Sequence, residues 1–306
     1  MNIKHTIALL NLLVFTNLTL FGQKYPDIEL IPFQDTLAPL DMLFVKLNWG
    51  NASKNKIDNP FADRSKWVQV RRLTPYPTEW RQRSNGISDL GVDGTSHDDK
   101  MSMSYIPAGY SASVLFKIEP EWITDEHLWS KDKIVLGFKP GTYECRYIYF
   151  PKLKPGQFKY NEGPFAGDFS CCKVIEFTFT VLDSPPADEV ALYDFLVKND
   201  LANYIHHHRY APENIPLFEE ALLLAPETSS LKPFIHQAVA DLLTRQLYNA
   251  PKPYSDEELA VLYERIVYHM RKVVESKHPY LLQNLFTDLS NYQFELQAVK
   301  ARLRRK

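Results

Sequence analysis

The spacing of apolar residues changes at Ser184-Pro185-Pro186, and that change limits the possible folds more than any other feature of the chain. Before it, the period is two. In Leu43, Val45, Leu47 and Trp49 every second residue is apolar, with Lys46 and Asn48 between. Ala112, Val114, Phe116 and Ile118 repeat the pattern, as do Ile175, Phe177, Phe179 and Val181. Successive side chains of a strand point to opposite faces, so these runs suit half-buried strands of an antiparallel sheet. Trp67 to Leu73 and Ile134 to Phe138 are weaker strand candidates. Turn residues such as Pro39, Pro107, Gly109, Pro140, Gly141, Pro155 and Gly156 separate the runs. Many strands without intervening helices predict a β-sandwich over residues 23–183.

Residues 184–187 form a Pro-rich linker, and residues 188–306 carry a helical period. Val190, Tyr193, Leu196 and Val197 share one helix face. Pro212 to Ala225 is a short helix closed by Pro226. Ser229 or Ser230 can cap the next helix, whose stripe is Leu231, Phe234, Ile235, Ala238, Leu242 and Leu243. Ser255 and Glu258 have capping-box spacing ahead of Leu259, Leu262, Ile266, Met270 and Val273. Leu282, Leu285, Leu289, Tyr292, Leu296 and Val299 mark a last helix. About five helices with short Pro-containing connections favour antiparallel neighbours. The expected chain is therefore multidomain β plus α, with an all-α helical domain at the C-terminal end.

Residues 1–22 have the layout of a secretory signal peptide. Lys4 is the basic start, Ile7 to Phe21 the apolar stretch, and Gly22 the small residue before Gln23. That stretch is too short and too polar for a membrane span, and no other apolar run approaches the required length. The expected product is secreted, periplasmic or on the cell surface, with no membrane span after signal cleavage. In an oxidising compartment Cys145, Cys171 and Cys172 are disulfide candidates. A bridge from Cys145 to one of the vicinal pair and buried free thiols both remain open.

Pro140-Gly141-Thr142-Tyr143-Glu144-Cys145 resembles the strand-F motif of immunoglobulin-like domains, in which a Tyr two residues before the Cys ties the corner to nearby backbone. The candidate strand B, Met42 to Trp49, has no Cys, so the inter-sheet bridge of antibody domains is absent. Pro39 to Val45, Ile106 to Gly109 and Pro140 to Tyr143 resemble segments of the Ig-like domains of secreted bacterial proteins. Ser230 to Leu247 resembles the second helix of a tetratricopeptide-type pair. The resemblance implies an Ig-like β-sandwich followed by a helical domain. It implies no activity.

With 35 basic and 37 acidic side chains, the chain has no general electrostatic attraction for nucleic acid. Gly-x-Ser-x-Gly, His-Glu-x-x-His and phosphate-loop motifs are missing from the sequence. Asp89, Asp93, Asp98 and Asp99 are oxygen donors suited to calcium, yet as an EF-hand the loop would put Lys100 where a bidentate carboxylate is needed. A solvated polar loop is the default there, and no metal or cofactor is expected. His206, His207 and His208 are consecutive, so on a helix they diverge by about 100° each and cannot converge on one ion. Trp49 has the parity of a core residue. Trp80, Trp122 and Trp129 lie among charged residues and are candidate interaction aromatics. Five of the seven residues from Lys300 to Lys306 are basic and suit a helix C-terminus. The expected role is an exported non-enzymatic protein, an interaction or accessory subunit of the cell envelope whose partner is another envelope or secreted protein. The alternatives are a carbohydrate-binding module, whose partner would be a glycan, and a hydrolase with a dispersed active site.

Overall fold

The computed structural model describes residues 27–52, 54–58, 68–80, 105–118, 129–130, 133–134, 137–149, 173–207, 211–250 and 253–305. The chain combines strands and helices. Its strands are β1 (Asp27–Pro32), β2 (Thr36–Leu37), β3 (Leu43–Gly50), β4 (Ile57–Asp58), β5 (Val68–Arg72), β6 (Tyr105–Ile106), β7 (Ser111–Ile118), β8 (Trp129–Ser130), β9 (Lys133–Ile134), β10 (Gly141–Tyr149) and β11 (Lys173–Val181). One sheet has the order β1-β3-β7 and a second has the order β2-β11-β10-β5. Two short ribbons, β4-β6 and β8-β9, accompany them. All pairings are antiparallel except that of β2 with β11.

The period-two residues of β3 do what their spacing predicts, as do Phe179 and Val181 at the end of β11. Leu43, Val45, Leu47 and Trp49 of β3 are buried with Val70 of β5, Tyr143, Cys145 and Tyr147 of β10, and Phe179 and Val181 of β11. Both sheets thus contribute to one core. Tyr143 and Phe179 stack with ring centroids 5.0 Å apart, and Phe138 meets both edge-on. The Tyr143 hydroxyl donates a 2.5 Å hydrogen bond to the Lys139 carbonyl and so ties the start of β10 to the preceding turn. Gly141 holds φ +142°, and a Cβ there would lie 2.0 Å from the Thr74 carbonyl oxygen, so only glycine fits. Of the weak strand expected over Ile134 to Phe138, Ile134 ends β9, residues 135–136 lie outside the described residues, and Phe138 is buried outside any strand.

From Val190 onward the described elements are helices: α1 (Val190–Lys198), α2 (Leu201–His207), α3 (Ile215–Leu224, entered through a 3-10 turn at Pro212–Asn214), α4 (Lys232–Tyr248), α5 (Asp256–Ser276) and α6 (Pro279–Leu303). Helix α5 begins with the expected capping box: Ser255 Oγ accepts from the Glu258 amide at 3.2 Å, and Glu258 Oε2 accepts from the Ser255 amide at 2.8 Å. Helix α4 departs from expectation. Its cap residue is Leu231, and neither Ser229 nor Ser230 caps it in the expected way. Ser230 instead donates to Asp41 Oδ1 at 2.6 Å, and Ser229 Oγ accepts from the Leu231 amide at 3.3 Å.

The two halves share a core. Ala38, Leu40, Met42 and Phe44 are buried in the same cluster as the helix residues Leu196, Phe218, Ile235, Leu243 and Ile266. Phe44 breaks the alternation of β3: it is apolar on the face opposite Leu43 and Val45. Its ring stacks on Phe234 of α4 at 5.4 Å, with 5° between the planes, and meets Tyr280 of α6 at 4.5 Å. Among the described residues, no helix is long and apolar enough to cross a membrane.

Candidate functional site

Helices α3, α4 and α5 enclose a cleft of about 620 Å³. Helix α3 supplies Glu219, Leu222 and Leu223, α4 supplies Lys232 and His236, and α5 supplies Tyr268, His269, Lys272 and Glu275. On α5, Leu262, Ile266, His269 and Val273 follow one helical stripe, so the packing that buries the apolar residues carries His269 inward with them. Helix α4 is buried around much of its circumference, and His236 goes with it.

At the cleft floor His236 and His269 are 6% and 4% exposed, and their Nδ1 atoms are 2.9 Å apart. Burial pushes the His236 imidazole down to about 4, helped by the Lys232 and Lys272 ammonium groups. Burial, then His236 and Arg265, pushes His269 down to about 3. Both rings are neutral at ordinary pH, so one Nδ1 donates its hydrogen to the other. Glu219 Oε1 lies 3.9 Å from His269 Nε2 and accepts from Arg265 at 2.8 Å. The rim charges are paired, Lys232 with Glu227 at 2.7 Å and Lys272 with Glu275 at 2.8 Å. Leu223 is 87% exposed and Tyr268 is 53% exposed beside these pairs.

A second cavity of about 300 Å³ lies where the halves meet, lined by Phe33, Asp41, Phe44, Phe234 and His278 and sharing Glu227, Ser229, Pro233 and Ser276 with the cleft. Asp41 accepts from the Ala38 amide at 2.9 Å as well as from Ser230. Glu189 is buried nearby, and burial raises its pKa against a hydrogen bond from Ser229, with Asp41 and Asp188 adding to the rise.

The residues singled out from sequence fall elsewhere. Trp80 is half-buried, with its ring against the guanidinium groups of Arg71 at 4.4 Å and Arg146 at 3.8 Å. Trp129 starts β8, and Trp122 lies outside the described residues. Asp89, Asp93, Asp98 and Asp99 also lie outside them. Cys145 is a buried free thiol, one of the two states the sequence left open, and burial pushes its pKa up. It sits opposite Phe177 and points into the core, while Cys171 and Cys172 precede Lys173, which pairs with Tyr149, and lie outside the described residues. His206 and His207 end α2. Lys300 and Arg302 of the basic tail pair with Glu264 at 2.7 Å and Asp256 at 2.8 Å on α5.

Sequence reasoning missed His236 and His269 because they stand 33 residues apart on two helices. The signal was a histidine on an apolar stripe. Among the described residues, no group of three or more His, Cys, Asp or Glu could hold a metal ion.

No protein-family model matches this chain, and no curated protein matches it. Among solved structures, it is similar to a β-glucosidase from Listeria innocua. The complex with gluconolactone is 11% identical with a TM-score of 0.23, and the complex with isofagomine is 12% identical with a TM-score of 0.24. Each match takes in 53% of this chain and 17% of the glucosidase, so this chain spans only a small part of that protein's length. A likeness of that degree carries neither fold nor activity across.

Proposed function

We propose that this chain is an exported, non-enzymatic protein that associates with another protein of the cell envelope through its helical cleft. In this reading an Ig-like sandwich carries an all-helical domain. Sheet orders β1-β3-β7 and β2-β11-β10-β5 support the Ig-like assignment, as does the Tyr143 hydroxyl bonded to Lys139. Export rests on residues 1–22.

One observation carries the association: Leu223 and Tyr268 lie open to solvent beside a cleft whose rim charges are already paired. An apolar strip ringed by polar groups is the usual make-up of a protein-binding surface. A hydrolytic role draws less support. The cleft has perturbed histidines, but at pKa values of about 4 and 3 they are weak bases at neutral pH, where a general base works best near 7. A glycan-stacking role at Trp80 competes with two guanidinium groups for the ring.

A photo-crosslinking amino acid in place of Leu223 tests the proposal against the same group at exposed Thr178 on β11. The expected result is one discrete envelope-protein adduct from position 223, lost when Tyr268→Glu is added. No adduct, or equal adducts from both positions, refutes it.

A further inference from the structure

The Nδ1 atoms of His236 and His269 are 2.9 Å apart. That distance suits a hydrogen bond, and it also suits two ligands of one ion. Imidazole nitrogens bind zinc at about 2.0–2.1 Å, and an angle between square and tetrahedral then separates the two nitrogens by about 2.9–3.4 Å. We propose that His236 and His269 hold one divalent transition-metal ion, of the zinc type, through their Nδ1 atoms at the floor of the helical cleft.

Imidazole nitrogen selects zinc, copper, nickel and cobalt over magnesium or calcium. Neutral rings are the form that ligates, and burial keeps both neutral. When the ion enters, the hydrogen shared between the two Nδ1 atoms moves to Nε2 of its own ring. Each ring stays neutral and no proton leaves the protein. Glu219 stands on the Nε2 side of His269, 3.9 Å away, where its negative charge favours the tautomer with hydrogen on Nε2 and leaves Nδ1 as the ligating atom. The cleft volume of about 620 Å³ leaves room for water to complete the coordination. Two protein ligands make this a micromolar site, unlike a four-ligand structural zinc. The inference is independent of the protein-association reading, since the ion needs no partner.

The test is titration of the whole purified, chelator-treated chain with Zn²⁺, and with Co²⁺ for its visible absorption. One ion per chain binds in the micromolar range, and imidazole ¹⁵N spectra of the unmodified protein move at Nδ1 of His236 and His269. His236→Ala and His269→Ala each weaken binding at least tenfold, and Glu219→Gln weakens it about tenfold. Replacing His206, His207 and His208 together with Gln leaves it unchanged. The ¹⁵N measurement needs no variant, so a substitution that fails to fold does not spare the proposal. No binding at micromolar metal overturns it. So does binding that survives both alanine variants, or that disappears with the His206–208 replacement.

Discussion

His278 meets the rings of Phe33, Phe44 and Phe234 at the joint between the two halves, and its Nδ1 is buried without a hydrogen-bond partner. Burial holds this imidazole down at about 4, against an ordinary value of 6.5. The unfolded chain therefore takes up a proton here before the folded chain does. Stability is full above about pH 6.5 and falls as pH drops toward 4, by roughly 2–3 kcal/mol from this residue. His278→Phe should flatten that part of the pH profile in urea unfolding. An unchanged slope would place the His278 ring in solvent. Glu189 has the opposite sign. Its raised pKa means that the folded state favours the protonated acid, so its contribution is present at low pH and lost as pH rises through its titration. Glu189→Gln should raise the melting temperature at pH 7 while leaving it nearly unchanged at pH 4. Neither residue stands out in the sequence, because one is an ordinary polar residue before a Pro and the other an ordinary acid after a linker. Their chemistry comes from neighbours far along the chain. Tyr143 differs. Its place two residues before Cys145 was legible, and its hydroxyl does reach back to the preceding turn.

Helix ends carry the predictions at the next scale. The capping box at Ser255 and Glu258 satisfies one backbone amide at the start of α5 and returns a carboxylate to another. Ser255→Ala should cost about 1 kcal/mol by chemical denaturation. At the other end of α5, Lys277 adopts φ +56°, where a side chain is strained and glycine is not. Lys277→Gly should therefore stabilise the protein by up to about 1 kcal/mol, and a loss of similar size would contradict the left-handed cap. The first device was readable because its residues are three apart and local. The second was not, since nothing about a lysine announces a positive φ. The start of α4 shows the same limit: Ser229 and Ser230 have the chemistry of caps, but Asp41, 189 residues away from Ser230, takes the hydroxyl.

The molecule as a whole depends on one residue that spoils a pattern. Phe44 is buried on the face of β3 opposite Leu43, Val45, Leu47 and Trp49, and its ring joins the sheets to α4 and α6. Phe44→Ala should cost about 3–5 kcal/mol. It should also loosen the coupling of the halves, so that a single calorimetric transition becomes two. One unbroken transition in the variant would mean that Ala38, Leu40 and Met42 suffice to hold the joint.

The sequence by itself determined the two periods and where they change, the parity of the core strands and the capping box at α5. Each depends on residues a few positions apart, and geometry at that range follows from strand and helix repeats alone. Tertiary structure decided the rest. It turned Ser230 toward Asp41, paired Lys300 and Arg302 with α5, and brought His236 and His269 together across two helices. No local spacing encodes those meetings. They arise because burying the apolar stripes of α4 and α5 leaves the two histidines facing each other in one place, whatever their separation along the chain.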